Sequence, residues 1–242
     1  MLESLRRLLS KGPKPVDMSV LQCWAEGRGF RFKRVKDEDG GLVEPTQAAV
    51  PHWRIEWGES HRSYIETREL RFSAEVGTPR ELQLLVLNRA LMEQVERAVF
   101  EQYVEDVQTR IDTETPPEMR WLVMYPKLAP TEMGRLRDRY GAAASAKTWL
   151  QRWLVGPVED ALARAGAEVS EALPTVATIT RGRLTLRVPM PEPEKADLDR
   201  WFALFEVLAK QAHARSRDAV ELGGGPSQLS GWPSSETPGR SE

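Results

Sequence analysis

Trp53, Ile55 and Trp57 alternate with Arg54 and Glu56, and Leu70, Phe72, Ala74 and Val76 alternate with Arg71, Ser73 and Glu75. Successive side chains of a strand point to opposite faces, so both runs place their large apolar groups on one side of a sheet. A slip of one residue would expose both tryptophans, so the register is strongly held. With Glu59 and Ser60 as the hairpin tip, Tyr64 falls opposite Ile55 and Arg62 opposite Trp57, the second a cation over an aromatic face. Residues 175–180 and 183–188 flank Arg181-Gly182 as a second hairpin, which aligns Ile179 with Leu184 and Ala177 with Leu186. Hairpins with a single dry face need helices to cover it. The expected class is α+β: an antiparallel sheet with amphipathic helices packed on one face.

The helical pattern supplies that cover. Leu198, Trp201, Phe202, Phe205, Leu208, Ala209 and Ala212 recur at helical spacing, as do Met92, Val95, Val99 and Tyr103 within residues 89–106. Asp17 or Ser19 caps a helix to about Arg28 that buries Val20, Leu21 and Trp24. Ser145 caps another that buries Trp149, Leu150, Trp153 and Leu154; Gly156-Pro157 restarts it, and Gly166 stops it. Residues 30–35 read as a strand, 37–41 as its turn and 44–50 as loop. The apolar run 82–87 fits a buried strand, with Asn88 capping the next helix; a helix launched by Thr78-Pro79-Arg80-Glu81 is the alternative. Residues 119–125 read as a strand, 126–130 as a loop, and Thr131 as the cap of a short helix to Tyr140.

Both ends of the chain differ from its middle. Leu2, Leu5, Leu8 and Leu9 line one side of an expected short helix, which Gly12-Pro13-Lys14-Pro15 ends. From about Asp218 to Glu242 the chain is rich in Gly, Ser and Pro, too apolar-poor to repay ordering entropy, so disorder is expected there. Trp232 is the exception in that tail. The expected organisation is 1–16 as helix and linker, 17–112 and 113–217 as two α+β halves, and 218–242 as tail. Each half carries a hairpin and then a long amphipathic helix, the pattern a duplication would leave, although their residues do not align.

Charge and cysteine content narrow the setting. The 34 basic and 36 acidic residues nearly cancel, so no global field favours nucleic acid or an anionic membrane. Cys23 is the single cysteine, which excludes an intramolecular disulfide and favours a reducing compartment. Residues 1–11 hold no apolar signal-type run, and nowhere do about 18 apolar residues follow one another, so no transmembrane segment is expected and the expected location is cytoplasmic.

Four motifs invite chemistry. Residues 141–148 resemble a phosphate-binding loop with alanine at its second glycine, but that loop needs a buried strand before it, and Arg135 to Tyr140 read as polar helix. Arg28-Gly29-Phe30-Arg31-Phe32 resembles an RNA-stacking strand, yet Lys33 and Val35 depart from that pattern and acidic residues come next. His52 and Glu56 would sit roughly 13 Å apart on a strand, at about 3.3 Å per residue, too far for one metal. Glu101, Glu105 and Asp106 lack the histidine of a di-iron helix motif, and no glycine-flanked serine elbow occurs. No catalytic residue, cofactor or metal is therefore assigned.

The expectation is a non-catalytic interaction or small-ligand-binding protein, with a protein partner met through the Leu2–Leu9 helix or the tail. The alternative is an enzyme for a small molecule at the first hairpin tip, where Glu59, His61, Arg62 and Tyr64 gather; it needs those groups to share a concave pocket.

Overall fold

The computed structural model describes residues 16–35, 39–104 and 116–218. The expected helix at Leu2–Leu9 and the tail from residue 219 lie outside the described residues, as do Glu105 and Asp106. So do the side chains of Val99, Glu101 and Tyr103.

The alternating runs pair as antiparallel strands: β1 (Phe30–Val35), β2 (Gly40–Pro45), β3 (Trp53–Glu59) and β4 (Arg68–Glu75) form a meander. β5 (Leu84–Asn88), β6 (Tyr140–Ala144), β7 (Val176–Thr180) and β8 (Arg183–Pro189) extend it. The order across the sheet is β1-β2-β3-β4-β8-β7-β5-β6, antiparallel throughout. The second hairpin has the expected register, Ile179 with Leu184 and Ala177 with Leu186. Its turn residues Arg181 and Gly182 have φ of 51° and 78°, the left-handed geometry a two-residue hairpin turn requires. Pairing of β4 with β8 makes the N-terminal and C-terminal strands one continuous sheet.

One face is dry along its whole width. Val43, Ile55, Trp57, Leu70, Phe72, Leu186, Ile179, Leu84 and Tyr140 meet helices α1 (Ser19–Gly27), α4 (Lys147–Leu154), α5 (Pro157–Ala167) and α6 (Lys195–Ala214), with helix α2 (Arg89–Val104) and helix α3 (Pro117–Met124) elsewhere. Aromatic groups dominate the contact: Phe72 stacks on Phe205 with centroids 5.1 Å apart, and Trp24, Phe30, Trp53 and Phe202 meet edge-on or tilted. The expected single covered face holds for β1 to β4 and β8. Over β5 to β7, however, α2 and α3 cover the second face as well: Leu85, Leu87, Ala143 and Val176 meet Leu91, Met92, Met119 and Leu122.

Several local expectations change for physical reasons. β2 was not expected: it takes Gly40 and Gly41 from the expected turn and Glu44 and Pro45 from the expected loop, while residues 46–50 stay outside any strand. The strand was hidden because glycine stands at 40 and 41; at 41 an added Cβ would sit 2.8 Å from the Leu21 side chain of α1, which would have to shift. β3 pairs with β4, Ile55 with Phe72 and Trp57 with Leu70, rather than with Tyr64 and Arg62. Apolar groups thereby face apolar groups, and Arg68 supplies the cation over Trp57, at 4.9 Å. Residues 117–124 are helix rather than strand; the run is apolar without a period, but Pro117 followed by Glu118 is a helix start.

The short helix expected to Tyr140 is two 3-10 turns, Pro130–Glu132 and Gly134–Leu136, followed by the wholly buried β6. Its small residues carry little strand propensity, but packing demands them: a Cβ on Gly141 would lie 2.2 Å from the Met92 sulfur. Ser145 does not cap α4. Its hydroxyl accepts from Gln83 N at 3.0 Å and donates to Glu81 O at 3.2 Å. Asn88 likewise spends its amide on Glu171 O and Thr175 N. Val20 is exposed, and Gly166 lies inside α5, against Arg139 and Tyr140.

Candidate functional site

The structure separates the four residues expected at the first hairpin tip. Residues 60–67 form a connection between β3 and β4, and its members turn two ways. Arg62 and Tyr64 reach the start of α3, where Glu118 is buried: Arg62 Nε donates to Glu118 Oε1 at 2.5 Å, and the Tyr64 hydroxyl donates to the same oxygen at 2.9 Å. Burial alone would lower the Arg62 guanidinium, but the Glu118 carboxylate outweighs it and holds the group above its ordinary value. Burial, and then the same carboxylate, push the Tyr64 phenol well above the usual tyrosine range, so it remains a neutral donor.

Glu59 and His61 are exposed and border a separate depression of about 50 Å³ with Glu56, Glu69 and Arg71. That is far below the roughly 300–1,000 Å³ that seats small organic ligands. Beside it runs an ion-pair ladder on the open second face. Arg187 meets the buried Glu69 at 2.5 Å, Arg71 meets Glu56 at 2.7 Å, and Ser60 donates to Glu69 at 3.2 Å. The cations of this ladder are neutralised in place.

Tyr64 also stands in the wall of a groove of about 600 Å³ at the end of the strands. Ile65, Leu91, Leu173, Pro174, Pro189 and Pro191 supply its apolar lining, and among the described residues Glu66 is the one charged residue that lines it. Three chain connections and the start of α2 build it, brought together by the β4–β8 and β5–β7 pairings. No local motif encodes such a site. The prolines near 174 and 189–191 marked loops, but only the sheet order makes those loops neighbours.

The remaining motifs resolve into structure. Phe30 and Phe32 pack against the dry core instead of facing outward as base-stacking aromatics would. The nearby cations are engaged: Arg28 with Asp199 at 2.7 Å, Lys33 with Glu44 at 3.0 Å, and Arg34 with Val16 O at 3.1 Å. A strand does precede residues 145–148, contrary to the expected polar helix, but residues 141–144 lie within its ladder and leave no loop to wrap a phosphate. Lys147 pairs with Glu132 at 2.7 Å. Among the described residues no group of three or more His, Cys, Asp or Glu side chains is placed to hold a metal ion, and no helix is long and apolar enough to cross a membrane. Comparison with protein-family models, curated proteins and solved structures finds no match to this chain.

Proposed function

We propose that this chain is a non-catalytic interaction protein whose groove beside Tyr64 receives apolar side chains of a polypeptide segment. The observation that carries this reading is the groove itself: about 600 Å³, open, lined by Tyr64, Ile65, Leu91, Leu173 and three prolines, with Glu66 the one charged lining residue among those described. Sites that bind by shape and apolar contact have this composition, whereas a reaction centre needs convergent polar groups. Glu118 fixes the Tyr64 ring from behind, so the wall is held in place before any ligand arrives. The lone cysteine, Cys23, is exposed and free, which supports a reducing, cytoplasmic setting.

A neutral solvatochromic dye, Nile red, tests the seat without knowledge of the natural partner. Titration into the full chain is expected to give a saturable signal that Ala172→Trp abolishes, because this exposed residue lines the groove and an indole there fills it. Thermal unfolding of the variant checks that it is folded. Saturable binding that Ala172→Trp leaves intact removes the groove as the seat.

A further inference from the structure

Resting on that reading, we infer that the groove's resident occupant is the leucine-bearing segment Leu2–Leu9 of the same chain, so that an external partner binds only by displacing it. The segment lies outside the described residues, but its reach is set by where the described chain begins and by the number of residues before that point. Val16 is half-buried against the core at the end of β1, where its carbonyl accepts from Arg34. The register places that end of β1 level with the groove: Val35 pairs with Gly40, Gly41 with Trp57, Trp57 with Leu70 and Leu70 with Val188, one residue before the groove-lining Pro189. From β1 to β4 or β8 is three or four strand spacings, about 14–19 Å at ~4.8 Å each. Residues 10–15, extended, reach about 20 Å. Pro13 and Pro15 favour that extended geometry. Leu9 therefore comes within reach of the groove without any change in the sheet.

Chemistry and tethering agree with reach. Leu2, Leu5, Leu8 and Leu9 supply apolar side chains for an apolar lining, and Arg6, Arg7 and Lys11 bring positive charge towards Glu66. A segment this short binds weakly as a free partner. Joined to the same chain it acts at an effective concentration in the millimolar range, which favours it over a dilute competitor. Glu66 is exposed at the groove's edge, so its contact with those cations guides orientation more than it adds affinity.

Removal of residues 1–11 is expected to tighten Nile red binding about tenfold, the gain when a site open in roughly a tenth of molecules becomes open in all. Ala172→Trp should abolish the dye signal in both backgrounds. Equal binding by full-length and truncated chains, both sensitive to Ala172→Trp, overturns the self-occupancy while leaving the groove as a binding seat. If neither chain shows dye binding sensitive to Ala172→Trp, the seat and its occupant fall together. Tighter binding that ignores Ala172→Trp places the segment on another surface and also overturns the inference. A second measurement fixes the contact in the full chain: Leu5→Cys with Thr67→Cys in a Cys23→Ser background should oxidise to a disulfide within one chain. Val50→Cys in place of Thr67→Cys is the distant exposed control. A disulfide that links two chains assigns the groove to a second copy, and a yield no higher than the control rejects docking altogether.

Discussion

Strands β3, β4 and β8 carry charge on their second face, whereas β5 and β6 are buried on both. In the first region Arg54, Glu56, Arg71, Glu69 and Arg187 form a ladder of ion pairs open to water on one side. In the second, α2 and α3 lie over Leu85, Leu87, Ala143 and Val176, and the strands read as near-continuous apolar or small residues. The sheet is one hydrogen-bonded body, yet its two ends impose different rules on the same pleat. The exposed side of β8 tolerates polar substitution because water or an arginine meets whatever is placed there. The corresponding side of β5 lies buried under α2 and α3.

The largest expected effect comes from placing the same charge in both regions. Leu85→Glu puts a carboxylate into the buried layer beneath α2 and α3, and should cost about 4 kcal/mol or more, enough to prevent folding of a marginal domain. Thr185→Glu puts it on the open face of β8 between Arg183 and Arg187, and should change stability by no more than about 0.5 kcal/mol. Urea unfolding of both variants provides the readout. Equal costs at the two positions would mean that the second face is not divided as described.

That division also governs which features the sequence made legible. Alternation exposed β3, β4, β7 and β8 because one side of each is wet, and the register of the second hairpin followed from its turn. β6 carries no such contrast. Tyr-Gly-Ala-Ala-Ala is buried on both faces, with Met92 packed directly over Gly141, and its pattern suits neither strand nor helix. The apolar run of α3 shows no helical period because its exposed end also carries apolar residues, Val123 and Met124, although its proline start was readable. β2 was hidden by its glycines, of which Gly41 lies directly under Leu21 of α1. Of the four tip residues, proximity in sequence gave the Arg62 and Tyr64 pair, but not the carboxylate that organises them, since Glu118 lies 54 residues beyond Tyr64. The groove was illegible because its prolines and leucines come from segments whose adjacency is set by sheet order.

Glu118 stands at the seam where the open and covered regions meet, and its removal sharpens the contrast. Glu118→Ala leaves the partly buried Arg62 and the Tyr64 hydroxyl without their acceptor, at an expected cost of about 2–3 kcal/mol. Glu118→Gln keeps an accepting oxygen but loses the charge, and should cost about half as much. Tyr64→Phe removes one hydrogen bond, worth about 1 kcal/mol. The ranking Ala, then Gln, then Phe, measured by chemical denaturation, separates charge from hydrogen bonding. An alanine variant as stable as the parent would show that the seam is held by the packing of α3 alone.

The smallest effect belongs to an ion pair on the outer corner of the dry face, which is more accessible to water than the one at Glu118. Asp199 accepts from Arg28 and from the Trp24 indole, each at 2.7 Å, and from Lys195 at 3.1 Å. The Arg28 hydrogen bond leads these in holding its carboxyl down at about 2, against an ordinary value of 3.8. The depressed folded-state value means that its stabilisation is present above pH 3.8 and is lost as pH falls through about 2. Because the side chain is a third exposed, screening keeps the contribution within about 1 kcal/mol. Asp199→Asn should therefore flatten the fall in stability between pH 4 and 2 and lower stability slightly at neutral pH, whereas Glu118→Gln should produce the larger loss at pH 7. Thermal unfolding of parent and variants across pH 2–7 measures both. If Asp199→Asn costs more at pH 7 than Glu118→Gln, the corner pair outranks the buried one, and burial is not what ranks these ion pairs.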